Sequence, residues 1–303
     1  MLYRECRVDE GQADSDLPRV TCTVRVTQGD EVGLATIADA EPLALADFTL
    51  QVFPDRGYRE LTPAAPGWRV LALGADDGVS VAIGSDQVLF RGHDPWRALA
   101  GSLAVSRLIR LQRRLLFFHA ASVGLGPRGL LVVGPKGAGK TTLSLALAAR
   151  GHAFLGDEIA GVRLGSLELV PVRRSLAIRT GPRADAVSQA LTRMTAPTEV
   201  YPDGSERLRA QAAELFPGPQ AADSPLQAIV FLRGFGAVPE LEAFEPGPQH
   251  LRELTPMGAT LWGKSPGRCA FDMMSLLSRS RCYRMVLGGP EESAALIERV
   301  MEG

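Results

Sequence analysis

Residues 134–142 read Gly-Pro-Lys-Gly-Ala-Gly-Lys-Thr-Thr, which fits the pattern G-x-x-x-x-G-K-[ST]. In a loop of this kind the backbone N–H groups turn inward and cradle phosphates. Gly134, Gly137, Ala138 and Gly139 supply a small-residue backbone able to turn tightly, Lys140 has the reach to meet β- and γ-phosphates, and the Thr141 hydroxyl can ligate Mg²⁺. Thr141 and Thr142 begin the expected helix, whose positive end faces the anion. Given the glycine, lysine and hydroxyl content of the chain, a chance match has a probability of roughly 0.3%.

The flanks strengthen this reading. Residues 128–133, Arg-Gly-Leu-Leu-Val-Val, predict a buried strand, and residues 141–150, Thr-Thr-Leu-Ser-Leu-Ala-Leu-Ala-Ala-Arg, predict a helix. Strand, glycine loop and helix is the setting that the motif requires. Lysine is scarce: of 33 basic side chains only Lys136, Lys140 and Lys264 are lysines, and two of these lie in the loop.

The chain of 303 residues is long enough for one large or two medium domains. A formal net charge of −1 and a pI near 6.5 give no electrostatic reason to expect nucleic acid or an anionic membrane as partner. No apolar run approaches the roughly 18 residues of a membrane span, and the first residues lack the apolar core of a signal peptide. A soluble, cytoplasmic protein is expected. Cys6, Cys22, Cys269 and Cys282 form no C-x-x-C pair and are expected to be reduced thiols.

Two regions differ in pattern. Residues 1–93 contain short β-rich runs at 19–27, 48–53, 68–73, 79–83 and 87–90, divided by Gly, Asp and Pro, and predict a small antiparallel domain. Asp94-Pro95 is a good helix start, and a helix to about residue 113 would join this domain to the second, residues 94–303. Beyond residue 115, apolar strands alternate with helices, which predicts an α/β domain. Runs 115–123 and 129–133 predict a hairpin feeding the glycine loop, and 153–156 a very short strand ending at Asp157-Glu158. Strands are expected at 161–164, 168–172, 228–232 and 282–287, and helices at 207–215, 273–278 and 291–301.

A phosphate loop names a ligand and leaves the reaction open. Asp157 and Glu158 narrow it, because phosphate-bound Mg²⁺ takes an oxygen ligand from the protein and a kinase needs a carboxylate for the proton of the acceptor hydroxyl. Adjacent residues of a regular strand face opposite ways, so the two can converge only if the strand ends here. A solvated acidic turn is the plainer alternative. His119 follows Leu-Leu-Phe-Phe; taken alone, such a histidine reads as a hydrogen-bonded core residue.

The frame His119-Ala-Ala-Ser-Val, the loop at 134–142, and Arg150-Gly-His-Ala-Phe-Leu-Gly-Asp-Glu resembles the catalytic domain of HPr kinase/phosphorylase and its relatives, whose fold is akin to that of phosphoenolpyruvate carboxykinase. The match covers about residues 115–165; Cys282-Tyr-Arg-Met-Val-Leu-Gly-Gly-Pro-Glu is similar to the family's closing strand and helix. The resemblance implies an ATP- and Mg²⁺-dependent serine kinase acting on a peptide or small protein. By analogy His119 orients or shares a proton with the acidic pair, while one of Asp157 and Glu158 ligates Mg²⁺ and the other is base. His152 matches the family's Gly-His step, which a helix-to-strand packing residue explains equally well. HPr kinases assemble as homo-oligomers, although no residue of this chain carries that property over.

The chain also departs from the family. Glu158 replaces a second aspartate, and Lys136 stands in a loop that usually opens Gly-Asp-Ser-Gly, either as an extra phosphate contact or as a solvated side chain. Where the family has Glu-x-Arg-Gly-x-Gly, this chain has Leu-Ala-Ile-Arg-Thr-Gly, with Ala177 at the glutamate and Arg179 at the arginine. Among Arg173, Arg174, Arg179 and Arg183, Arg179 is the favoured candidate to neutralise the transferred phosphoryl group. Arg207 and Arg209 are weaker candidates for closing over substrate. The precursor peptides of ribosomally made natural products are among the substrates of such relatives. A small-molecule kinase uses the same parts, and a nucleotide-gated binding module with little catalysis would suit the missing acid at Ala177.

Overall fold

The computed structural model describes residues 114–173, 206–216, 222–258 and 265–302, together with Ile109 and the strands 23–27, 58–61, 69–73, 80–83, 87–91, 176–179 and 198–200. The chain forms two compact units, one from the described residues of 14–113 and 198–207, the other from those of 114–197 and 208–303.

In the first unit β1 (Thr23–Thr27), β2 (Tyr58–Leu61), β3 (Arg69–Leu73), β4 (Ser80–Ile83) and β5 (Gln87–Arg91) form one sheet in the order β1-β5-β4-β3-β2. Neighbours are antiparallel except β1 and β5, which run parallel with Thr23 opposite Gln87, so the sheet is mixed rather than purely antiparallel. Short alternation reveals a strand and is silent on its partner. The strand expected at 48–53 and, apart from Ile109, the helix expected at 94–113 lie outside the described residues.

The second unit is built on β6 (Leu115–Phe118), β7 (Ala121–Leu125), β8 (Arg128–Val133), α1 (Lys140–Ala149), β9 (Ala153–Gly156), β10 (Ala160–Arg163), β11 (Glu168–Val170) and β12 (Leu176–Arg179). β13 (Thr198–Val200) belongs to the first unit, and β14 (Glu206–Ala210) is divided between the two; then come α2 (Ala212–Leu215), β15 (Ser224–Phe235), β16 (Glu240–Phe244), α3 (Pro248–Leu254), α4 (Pro266–Ser278), β17 (Arg281–Leu287) and α5 (Pro290–Glu302). A nine-stranded mixed sheet runs β6-β10-β11-β15-β8-β7-β9, and β17 pairs with both β15 and β16. Its centre is parallel: β15 lies between β8 and β17, with Val230 opposite both Val132 and Tyr283.

These strands are buried on both faces, and their near-continuous apolar sequence follows from that. Alternate residues divide two cores. Leu130, Val132, Val230, Leu232 and Met285 face Leu143 and Leu147 of α1 and Ile297 of α5, while Leu131, Val133, Ile229 and Phe231 face Leu254, Met273 and Leu277.

Two expected elements differ. The run 115–123 is two strands, because the chain crosses at His119-Ala120 from a pairing with β10 to a pairing with β8 and β9. The helix expected at 207–215 is a strand followed by one helical turn: Glu206-Arg-Leu-Arg-Ala alternates with a period of two, which puts Leu208 and Ala210 on the core side with Leu176 and Ile178.

Candidate functional site

The glycine loop joins the carboxyl end of β8 to the start of α1. Gly134 is buried at the strand end; Pro135, Lys136 and Gly137 are exposed at the tip; Ala138 tucks into the core beside Leu143. Gly139 is the N-cap of α1, with φ 99°, a left-handed conformation that L side chains rarely adopt. A Cβ there would also strike Leu287 Cδ1.

Lys140, the first residue of α1, is 7% exposed. Its ammonium folds back over the loop, donating to the carbonyl oxygens of Gly134 at 2.8 Å and Pro135 at 3.1 Å. Burial pulls its pKa from the ordinary 10.5 down to about 8, against the opposing charge of Asp157. No side chain caps α1, and its first turn holds no acidic residue, so the positive helix end is left to an anion. At α5, by contrast, Glu292 and Ser293 accept the N–H groups of Gly289 and Gly288.

Asp157 and Glu158 follow β9 at the point where the strand ends, as convergence requires. The Thr141 hydroxyl donates to Asp157 Oδ2 at 3.2 Å, and Asp157 is 7% exposed; Glu158 is half-buried. Thr142 is half-buried in the same turn of α1. The pairing registers bring His119 to this place. Phe118 of β6 lies opposite Ala160 of β10, and Ser122 of β7 lies opposite Gly156 of β9, so residues 119–121 and 157–159 make the same crossing side by side. The His119 N–H donates to the Met257 carbonyl at 2.6 Å.

Thr141, Asp157 and Glu158 carry the oxygen groups that could hold Mg²⁺, a hard cation that takes oxygen ligands and needs only one or two from a protein when phosphates supply the rest, and of these Thr141 and Asp157 are in hydrogen-bond contact. Arg179 ends β12, and its side chain lies outside the described residues, as do Arg174, Arg183 and the side chain of Ala177. Arg173, Arg207 and Arg209 are described and each has a partner.

Sequence reasoning missed a clasp behind the site. Arg150, just after α1, makes a two-bonded ion pair with Glu298 of α5 at 2.8 and 2.6 Å and also reaches Glu291 at 3.3 Å. His152 Nε2 lies 2.9 Å from Glu298 Oε1 at the helix-to-strand step. The spacing of seven between Glu291 and Glu298, two turns of one helix face, was the available signal. Buried His250 went unread as well; its Nδ1 accepts the Gly247 N–H at 2.9 Å and closes the first turn of α3. Cys269 and Cys282 are buried free thiols, as expected; Cys6 and Cys22 lie outside the described residues. No described helix is long and apolar enough to cross a membrane.

No protein-family model matches the chain, and no curated protein matches it. Among solved structures it is similar to the Hpr(Ser) kinase/phosphatase from Coxiella burnetii, at 13% identity and a TM-score of 0.30, with 61% of this chain and 93% of that one covered. A likeness of that degree adds nothing to the reading of the site, which stands on its own geometry.

Proposed function

We propose that this chain is a cytoplasmic ATP- and Mg²⁺-dependent kinase of the HPr kinase-like kind, which transfers the γ-phosphoryl group to a serine hydroxyl of a peptide or small protein. The observation that carries the reading is the meeting of the Thr141 hydroxyl with Asp157 at 3.2 Å, beside a buried Lys140 in the same glycine loop. Structural ion pairs and ordinary turns do not require a lysine ammonium, an uncapped helix start and a carboxylate to converge.

Lys140 and the N–H groups of the loop bind the β- and γ-phosphates, and Thr141 with one of Asp157 and Glu158 holds Mg²⁺. When bound, the ion neutralises charge on the phosphate oxygens. The acceptor oxygen forms a bond to the γ-phosphorus as the bond from that phosphorus to the bridging oxygen of ADP breaks. The other carboxylate of the pair takes the acceptor proton, and His119, on the adjoining crossing, orients that carboxylate. Arg179 is the candidate to neutralise the transferred group.

Transfer from γ-labelled ATP to a pool of serine-containing peptides tests this, with wild type, Lys140→Ala and Asp157→Asn in parallel. Labelled peptide that disappears in both variants supports the kinase. Tight nucleotide binding without turnover under any condition overturns it and leaves a nucleotide-gated binding module.

A further inference from the structure

The glycine loop lies at the carboxyl end of β8; the amino end of the same parallel strands opens on a cavity of about 340 Å³ whose lining includes Arg128, Gln227, Arg279 and Arg281. Small-molecule sites occupy roughly 300–1,000 Å³. Arg128 begins β8 and Arg281 begins β17, and β15 lies between these strands, parallel to both. Side chains alternate along a strand, so Arg128 shares a face with Leu130 and Val132, and Arg281 shares a face with Tyr283 and Met285. Those four residues pack in the one core beneath α1 and α5, so the two arginines start from the same face at the same end of the sheet.

Gln227 stands between them. Leu226 is opposite Gly129 and Ala228 is opposite Leu130, so Gln227 is the extra residue of a bulge in β15. Bulges re-aim a side chain and recur beside functional sites. The Gln227 Oε1 atom is buried and accepts no hydrogen bond among the described residues, a cost that a purely structural residue need not carry. The cations lack counterparts too. Arg150, Arg163, Arg233 and Arg268 each meet a carboxylate, whereas the guanidinium groups of Arg128 and Arg281 have no hydrogen-bond or ion-pair partner among the described residues. Glu245, which the register brings opposite Arg281, forms no ion pair with it. Arg279 donates to the Gly165 carbonyl at 3.4 Å, which leaves its charge unneutralised. Three such charges around one cavity repel one another, and an anion between them removes that cost.

We propose that this cavity is a second anion site, separate from the glycine loop, and that it takes a small phosphate-bearing molecule. A phosphate dianion has enough terminal oxygens to accept from more than one guanidinium fork at once, whereas a carboxylate matches one. Arg128 and Arg281 grip the phosphate from two strands, Arg279 adds the third charge, and the Gln227 amide hydrogen-bonds the remainder of the ligand. The inference stands apart from the nucleotide reading, since the two sites lie at opposite ends of β8.

The test is calorimetry without Mg²⁺, using inorganic phosphate, glycerol 3-phosphate and succinate as probes. Wild type, Lys140→Ala and the double variant Arg128→Gln, Arg281→Gln are compared; the two guanidinium groups hold nothing in the fold, so the double variant should melt as wild type does. Wild type should bind a phosphate probe, and succinate at least about tenfold more weakly. Lys140→Ala should keep that binding, which places it outside the glycine loop. The double variant should lose about tenfold or more in phosphate affinity while its affinity for Mg²⁺-ATP stays unchanged. Tighter binding of glycerol 3-phosphate than of inorganic phosphate identifies a phosphate ester as the ligand, and the reverse order identifies free phosphate. Binding of neither phosphate probe, loss of binding in Lys140→Ala, undiminished binding in the double variant, or equal affinity for succinate would each overturn the proposal.

Discussion

The Thr141 hydroxyl donates to Asp157 Oδ2 at 3.2 Å, joining the first turn of the loop helix to the strand end that follows it in sequence. Asp157 is therefore held against the first turn of the loop helix. Asp157→Asn keeps the shape and removes the charge, so it should lower turnover at least about 100-fold while nucleotide still binds. Single-turnover transfer from labelled ATP, measured alongside nucleotide affinity, separates the two effects.

Lys140 has a pKa pulled to about 8 by burial. The unfolded chain keeps its proton up to about pH 10.5, so between these values the unfolded state binds more protons and the free protein gains stability as pH rises. This contribution is lost as pH falls through 8. Phosphate binding demands the charged lysine and should oppose that trend: affinity for triphosphate should fall above pH 8, and binding there should take up a proton. Calorimetry in two buffers of different ionisation enthalpy reads the uptake, and Lys140→Met should abolish it.

Gly137 and Gly139 both have positive φ, at 83° and 99°, but their surroundings differ. A Cβ on Gly137 meets nothing within 4 Å, whereas one on Gly139 runs into Leu287 and Phe235. Gly137→Ala should cost about 1 kcal/mol of stability from the backbone alone, and Gly139→Ala about 2–4 kcal/mol. Urea unfolding of the two variants should give that order.

Glu298, bonded to Arg150 and His152, has a pKa held down at about 2. A carboxylate with a depressed folded-state value contributes stability above its unfolded pKa of 4.5, and that stability is lost as pH falls from there through 2. Glu298→Gln should therefore lower Tm at pH 7, by about 2 °C given the partly exposed pair, and the gap should close toward pH 2. Thermal melts across pH 2–7 check it. Nucleotide affinity should stay unchanged, since the clasp lies at the far end of α1 from the loop.

Much of the second unit was legible in the sequence because its signals are local. The strand β8, the helix α1 that follows the glycine loop, the strand β17 and the helix α5 each lie within a residue or two of where the sequence predicts them. Signals failed where partners decide the outcome. No local pattern distinguishes one long strand from β6 and β7 with a crossing between them, since both are buried throughout. β16, edge-paired to β17 and carrying Glu240 and Glu242, is only five residues long and has no buried residue, so it leaves little local signal.

What the sequence by itself determined is which groups are on offer: a glycine loop with its lysine and hydroxyl, an acidic pair at a strand end, and a histidine upstream. Those depend on residue type and on spacing within one turn or one strand. The tertiary structure decided which of these groups meet. Asp157 touches Thr141 because β9 returns beside β7, and His119 reaches the same place because β6 pairs with β10 while β7 pairs with β9. Phe235 stands over Gly139 because β15 lies between β8 and β17. Strand pairing acts across a hundred residues, and the free energy that fixes it belongs to the packed sheet rather than to any one segment.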